Sequence, residues 1–186
     1  FFLRDTAKKR SLEGWFDAAE SNGNAPVAAG SAHFVSRPIR RVGIVGAGVM
    51  GSGIAHWLAT HGFEVVLRDV EPQFLERGLS VVRSLFDAAV KRGKLTAGEA
   101  NSGLHRITTT TDWEGFPTCD LVIEAIIENT VAKRALFSEL AKVVPPDTLL
   151  ASNTSALPIE EIAGHVPNPE RTLGIHFFNP VSRMAL

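Results

Sequence analysis

Residues 41–51 confine the chain to few folds. Arg41-Val-Gly-Ile-Val-Gly46 reads as an apolar strand, and Val49 to His61 reads as a helix. Between them Gly46-Ala-Gly-Val-Met-Gly51 has the spacing G-x-G-x-x-G. Each glycine has a separate reason to be there: Gly46 for a tight turn, Gly48 so that a diphosphate can approach the backbone, and Gly51 so that the helix can lie close to the strand. The free N–H groups at the start of the helix, around Val49 and Met50, form a positive end suited to an anion. The turn alone does not choose the ligand, because flavin dinucleotide and S-adenosylmethionine sites share this loop geometry.

The remaining pattern predicts strands at Glu64–Asp69, Arg106–Thr110, Asp120–Ala125, Thr148–Ser152 and Leu173–Phe178. Helices are predicted at Pro72–Lys94, Val131–Val144 and Ile159–Gly164. Strands alternating with helices build a parallel sheet covered on both faces. The expected fold is therefore α/β, a doubly wound, mainly parallel sheet of the Rossmann type. Before it, Leu12, Trp15, Phe16 and Ala19 lie at helical spacing, and residues 20–37 are rich in Ser, Gly, Asn, Ala and Pro. The expected division is a helix and linker over 1–38, then the sheet domain over 39–186.

Asp69, at the end of the second predicted strand, lies roughly 20 positions beyond the glycine turn, where a carboxylate accepts both hydroxyls of an adenosine ribose and repels a 2′-phosphate. That favours NAD over NADP. Arg68 could receive such a phosphate, but neighbouring side chains on a strand face opposite ways.

Composition narrows the partners. There are 19 Lys and Arg against 20 Asp and Glu, a net charge of -1, so nothing points to nucleic acid or an anionic membrane surface. No apolar run reaches the roughly 20 residues of a membrane helix, and no signal peptide is legible. The six His have no metal-binding spacing, so no metal is expected. The single Cys119 rules out an internal disulfide, suits a reducing compartment, and reads as a small buried thiol beside a strand.

Three further segments narrow the reading: Asp120-Leu-Val-Ile-Glu-Ala-Ile-Ile-Glu-Asn129, Ser152-Asn-Thr-Ser-Ala-Leu157 and Gly174-Ile-His-Phe-Phe-Asn-Pro-Val181. Together with the glycine turn, over about residues 40–186, the chain resembles the L-3-hydroxyacyl-CoA dehydrogenases of fatty-acid β-oxidation. The His-Phe-Phe-Asn-Pro run is the most specific part. Ala185 stands where Pro is common in that family. Phe1-Phe2-Leu3 and the linker look like the junction in multifunctional β-oxidation enzymes, which implies an upstream enoyl-CoA hydratase half.

The resemblance implies NAD-dependent oxidation of an L-3-hydroxyacyl-CoA to the 3-oxoacyl-CoA, with acyl-CoA as the substrate partner. His176 becomes the acid–base group, and a residue near neutrality in its ordinary titration suits removal of a hydroxyl proton. Ser155 becomes the serine that hydrogen-bonds the reacting oxygen, although it also reads as a helix N-cap with Glu160 and Glu161 in the first turn. Glu128 and Lys133 match positions at the nicotinamide-side ribose, or else form a solvated helix start. Asn153 is expected to fix its turn. Asn179 touches the nicotinamide side or is simply a turn residue before Pro180. Lys91, Arg92 and Lys94 form either a CoA-phosphate contact or a solvated basic helix end. The family's His-pairing Glu would fall just beyond Leu186, as would its second active-site Asn and a helical domain that closes the site and forms the dimer. The chain is accordingly expected to be a piece that binds NAD with little turnover by itself. Acyl chain length is not legible. The implied setting is a bacterial cytoplasm, with a peroxisome as the alternative. A dehydrogenase of a small β-hydroxy acid, or an NAD-binding module alone, are the competing readings.

Overall fold

The computed structural model describes residues 38–164 and 166–181. The expected N-terminal helix, the linker and residues 182–186 lie outside the described residues. Six strands form one sheet: β1 (Arg41–Val45), β2 (Glu64–Arg68), β3 (Ile107–Thr110), β4 (Leu121–Glu124), β5 (Leu149–Ser152) and β6 (Thr172–Gly174). Their order is β3-β2-β1-β4-β5-β6, and every neighbouring pair is parallel. The helices are α1 (Val49–Thr60), α2 (Pro72–Lys91), α3 (Ala97–His105), α4 (Thr130–Val143) and α5 (Ile159–Ala163). This is the doubly wound fold expected. The strand order reverses direction between β1 and β4, which opens a crevice beyond their carboxyl ends.

Side-chain alternation sends each strand's residues to two cores. On one face Val42, Ile44, Leu121 and Ile123 pack with Ile54 and Leu58 of α1 and Val82 and Phe86 of α2. On the other, Val45, Val122 and Leu150 pack with Leu136, Phe137 and Leu140 of α4 and Ile162 of α5. Cys119 is buried in this second core, where burial pushes its thiol up to about 12, so it stays protonated and inert.

Beyond one-residue differences at element ends, two boundaries and one additional helix depart from the sequence expectation. The long helix stops at Lys91 instead of Lys94, because the chain turns through Gly93 at φ 67°. A helix not expected, α3, follows immediately. Its N-terminus is a capping box: Thr96 Oγ1 accepts from Glu99 N at 3.2 Å, and Glu99 accepts from Thr96 N at 2.7 Å. Strand β6 ends at Gly174 instead of Phe178. After Ile175 N donates to Ser152 O, the next inward N–H, that of Phe177, is taken by the Asn153 side chain at 2.9 Å instead of by backbone. His176 therefore sits on an irregular segment beyond the strand.

Candidate functional site

Because all six strands are parallel, their carboxyl ends share one edge of the sheet. The glycine turn follows β1 there. Gly46 has φ 106°, and its N–H donates to Arg68 O at 2.8 Å, tying the turn to β2. A Cβ at Gly51 would lie 1.7 Å from Gly46 O, so only glycine lets α1 start so close to β1. A Cβ at Gly48, by contrast, would meet nothing within 4 Å. The backbone there borders open space that a side chain would fill, as a cradle for a diphosphate requires. No side chain caps α1, so the N–H groups around Val49 and Met50 keep their donor capacity for an anion.

Asp69 lies beside this turn and is half buried. Its Oδ2 accepts from Ala47 N at 2.7 Å and its Oδ1 from Val70 N at 2.7 Å. The carboxylate thus braces the glycine turn, and each oxygen retains a further lone pair for a hydroxyl. Arg68 points the other way, as alternation predicted. Its guanidinium lies 3.8 Å from the Trp113 ring centroid, and its Nε donates to Asp112 O at 2.9 Å.

On the other side of the crevice, charge is buried. Glu124 closes the apolar run of β4, and Lys133 lies in the first turn of α4; both side chains are 0% exposed. Lys133 Nζ donates to Glu124 Oε1 at 2.6 Å and Oε2 at 2.8 Å. It also meets Glu128 Oε2 at 3.2 Å, where the Glu128 side chain is 38% exposed. Ser152, the register partner of Glu124 on β5, donates its hydroxyl to Glu124 Oε2 at 2.5 Å. Glu128 Oε1 in turn accepts from the Thr154 hydroxyl and from Ser155 N at 3.1 Å. Burial pushes the Glu128 carboxyl up. The hydrogen bonds from Thr154 and Lys133, with the charge of Lys133, outweigh that and hold it below the ordinary value.

Among the expected catalytic residues, Ser155 is exposed on the β5–α5 loop, anchored through its backbone to Glu128. It does not cap α5, whose N-cap is Pro158. Asn153 fixes the turn as expected, by holding Phe177 N. That bond sets the exposed His176 just past the end of β6, with its ring 4.4 Å from that of Phe178. Asn179 is exposed and precedes Pro180 across a cis peptide bond. Lys91, Arg92 and Lys94 are exposed at and just past the end of α2, away from this edge. Two residues escaped the sequence reading, Glu124 and Ser152. A carboxylate ending a Leu-Val-Ile strand was the available signal, since buried carboxylates need partners.

The strand order, the open glycine turn and the Asp69 brace describe a dinucleotide fold, and the family follows from the match over residues 41–186. The model for the family described as 3-hydroxyacyl-CoA dehydrogenase, NAD binding domain, matches residues 41–186. The chain belongs to this family. NAD is the cofactor of this 3-hydroxyacyl-CoA dehydrogenase NAD-binding domain. The domain is 43% identical over 148 residues to a 3-hydroxyadipyl-CoA dehydrogenase of Escherichia coli, covering 80% of this chain and 31% of that protein. It is 40% identical over 150 residues to a peroxisomal fatty acid β-oxidation multifunctional protein of rice, covering 81% of this chain and 21% of the relative. The crystal structure of (S)-3-hydroxybutyryl-CoA dehydrogenase from Ralstonia eutropha superposes with a TM-score of 0.78 at 40% identity, covering 80% of this chain and 52% of that one. The NAD-binding domain described here thus spans about half or less of the length of these relatives. No described helix is long and apolar enough to cross a membrane.

Proposed function

We propose that this chain is the cofactor half of an enzyme that oxidises an L-3-hydroxyacyl-CoA to the 3-oxoacyl-CoA. One observation supports this reading above the others: Gly48, Asp69, Glu128, Ser155 and His176 all follow the carboxyl ends of parallel strands, at the edge where such folds bind ligands. Bound NAD would supply the hydride acceptor. The diphosphate would rest on the turn of Gly46, Gly48, Val49, Met50 and Gly51, with Asp69 at the adenosine ribose and Glu128, with Lys133 behind it, at the second ribose. Asn179 would border the nicotinamide side. The His176 imidazole would accept the substrate hydroxyl proton, and the Ser155 hydroxyl would donate a hydrogen bond to the same oxygen. The exposure of both side chains leaves them open to a substrate.

The acyl-CoA substrate, a preceding hydratase domain joined through residues 1–38, and a following helical domain belong to the same reading. So does a bacterial cytoplasmic setting, with a peroxisomal one as the alternative. The test follows NADH absorbance in the near ultraviolet with acetoacetyl-CoA as oxidant. A polypeptide carrying this domain with its helical partner turns over, and His176→Gln abolishes turnover while NADH affinity stays within about twofold. The 186-residue chain alone binds NADH with negligible turnover. A His176→Gln variant retaining most of its rate removes this residue from the chemistry. Turnover of a small β-hydroxy acid with no response to any acyl-CoA would instead favour the smaller substrate.

A further inference from the structure

Lys133 and Glu124 form an ion pair in which both side chains are fully buried. Counting hydrogen-bond capacity decides what they do. An ammonium has three protons. Lys133 directs them at Glu124 Oε1, Glu124 Oε2 and Glu128 Oε2, and its side chain is fully buried. A carboxylate has about four acceptor positions. Glu124 fills them with two bonds from Lys133, one from the Ser152 hydroxyl and one from Ile126 N at 2.7 Å. Both groups are therefore saturated from within. Glu128 is different. Its Oε1 is taken by Thr154 and Ser155, but its Oε2 meets only Lys133, on a side chain 38% exposed. The cluster has one open acceptor, and it is that oxygen.

The charge balance says what the acceptor would hold. Two carboxylates and one ammonium leave one excess negative charge, which the burial of Glu124 and Lys133 places at Glu128. Such a group suits a hydroxyl donor and repels a phosphate. The cluster also joins three segments of the edge: the loop after β4 through Ile126, the start of α4 through Lys133, and the end of β5 through Ser152. We infer that Glu124, backed by Ser152, is a positioning residue for the second ribose of the dinucleotide. It fixes the Lys133 ammonium, and Lys133 fixes Glu128 as the group that meets the ribose hydroxyls. This rests on the reading above that Glu128 faces that ribose.

Calorimetry with ADP-ribose and with ADP capped as the methyl ester of its terminal phosphate (ADP below) isolates the contact, since both then end in a phosphate diester and differ by the second ribose. The unsubstituted chain is expected to hold ADP-ribose about tenfold more tightly than ADP, the size of one charge-assisted hydrogen bond. Glu124→Gln removes that preference while ADP affinity stays within about twofold. Glu128→Gln removes it as well, and adding Glu124→Gln to Glu128→Gln costs nothing more. Ser152→Ala takes out only a neutral donor. It lowers the preference by about threefold, and it keeps the test open should Glu124→Gln not fold. If Glu124→Gln folds and keeps the full preference, or if Ser152→Ala does, the inference is wrong. Equal losses for both ligands would mean that Glu124 only supports the fold, and would also overturn it. A parent chain that holds ADP-ribose no better than ADP would defeat the placement of Glu128 itself, and this inference with it.

Discussion

Asp69 pins Ala47 N in the glycine turn, and in the proposed function its remaining lone pairs would meet a ribose. Asp69→Ala would therefore remove a brace together with the proposed ribose contact. We expect NADH affinity to fall by about tenfold or more by calorimetry, with the far-ultraviolet spectrum of the folded chain unchanged. Unchanged affinity would deny Asp69 a place at the ribose. His56 makes the opposite case, a titratable group with no part in the site. It is 6% exposed on α1, packs edge-on to Phe86, and neither ring nitrogen has a hydrogen-bond partner among the described residues. Burial pushes its imidazole down to about 4, and the charges of His61 and Arg92 push the same way. The folded state therefore stays neutral where the unfolded chain, near 6.5, takes up a proton. Stability is fully present above pH 6.5 and is lost as pH falls from there toward 4, by at most about 1.4 kcal/mol per pH unit. Thermal unfolding between those limits should show the loss, and His56→Leu should flatten it. An equally steep decline in the variant would assign the acid sensitivity elsewhere.

At the scale of elements, α3 makes the most local prediction. Thr96→Ala removes the capping oxygen and should lower stability by about 1 kcal/mol in denaturant titration without changing NADH affinity. A loss of affinity would tie α3 to the site. The same helix marks where the sequence was harder to read. Its Thr-x-x-Glu signature was present, but Ala97 to His105 has a weak apolar stripe and contains two glycines, so no periodic run followed the cap. The strands were legible for the converse reason. Leu121 to Ile123 and Val65 to Leu67 are buried on both faces, which makes each a continuous apolar run. The short β6 was read too long because Phe177 and Phe178 look like strand residues. The competition from Asn153, a contact between distant parts of the chain, has no local signature. Glu128 and His176 stood out by motif. Glu124 and Ser152 did not, since their partnership needs β4 and β5 side by side.

At the scale of the molecule, topology does the organising. Parallel strands put every proposed ligand contact at one edge, and the reversal between β1 and β4 sets the glycine turn on one side of a crevice and the Glu124–Lys133–Glu128 cluster on the other. Arg68, held against Trp113 on the far face, offers no counter-charge to a 2′-phosphate, which agrees with NAD as the cofactor of the family. The most direct test of this account is a backbone and imidazole NMR titration of the chain with NADH. The account predicts shifts at Gly48, Asp69, Glu128, Ser155 and His176, with Arg40, Glu64, Asp120 and Thr148 at the opposite edge unmoved. Shifts centred on those four residues, or a His176 ring that does not respond at saturation, would contradict it.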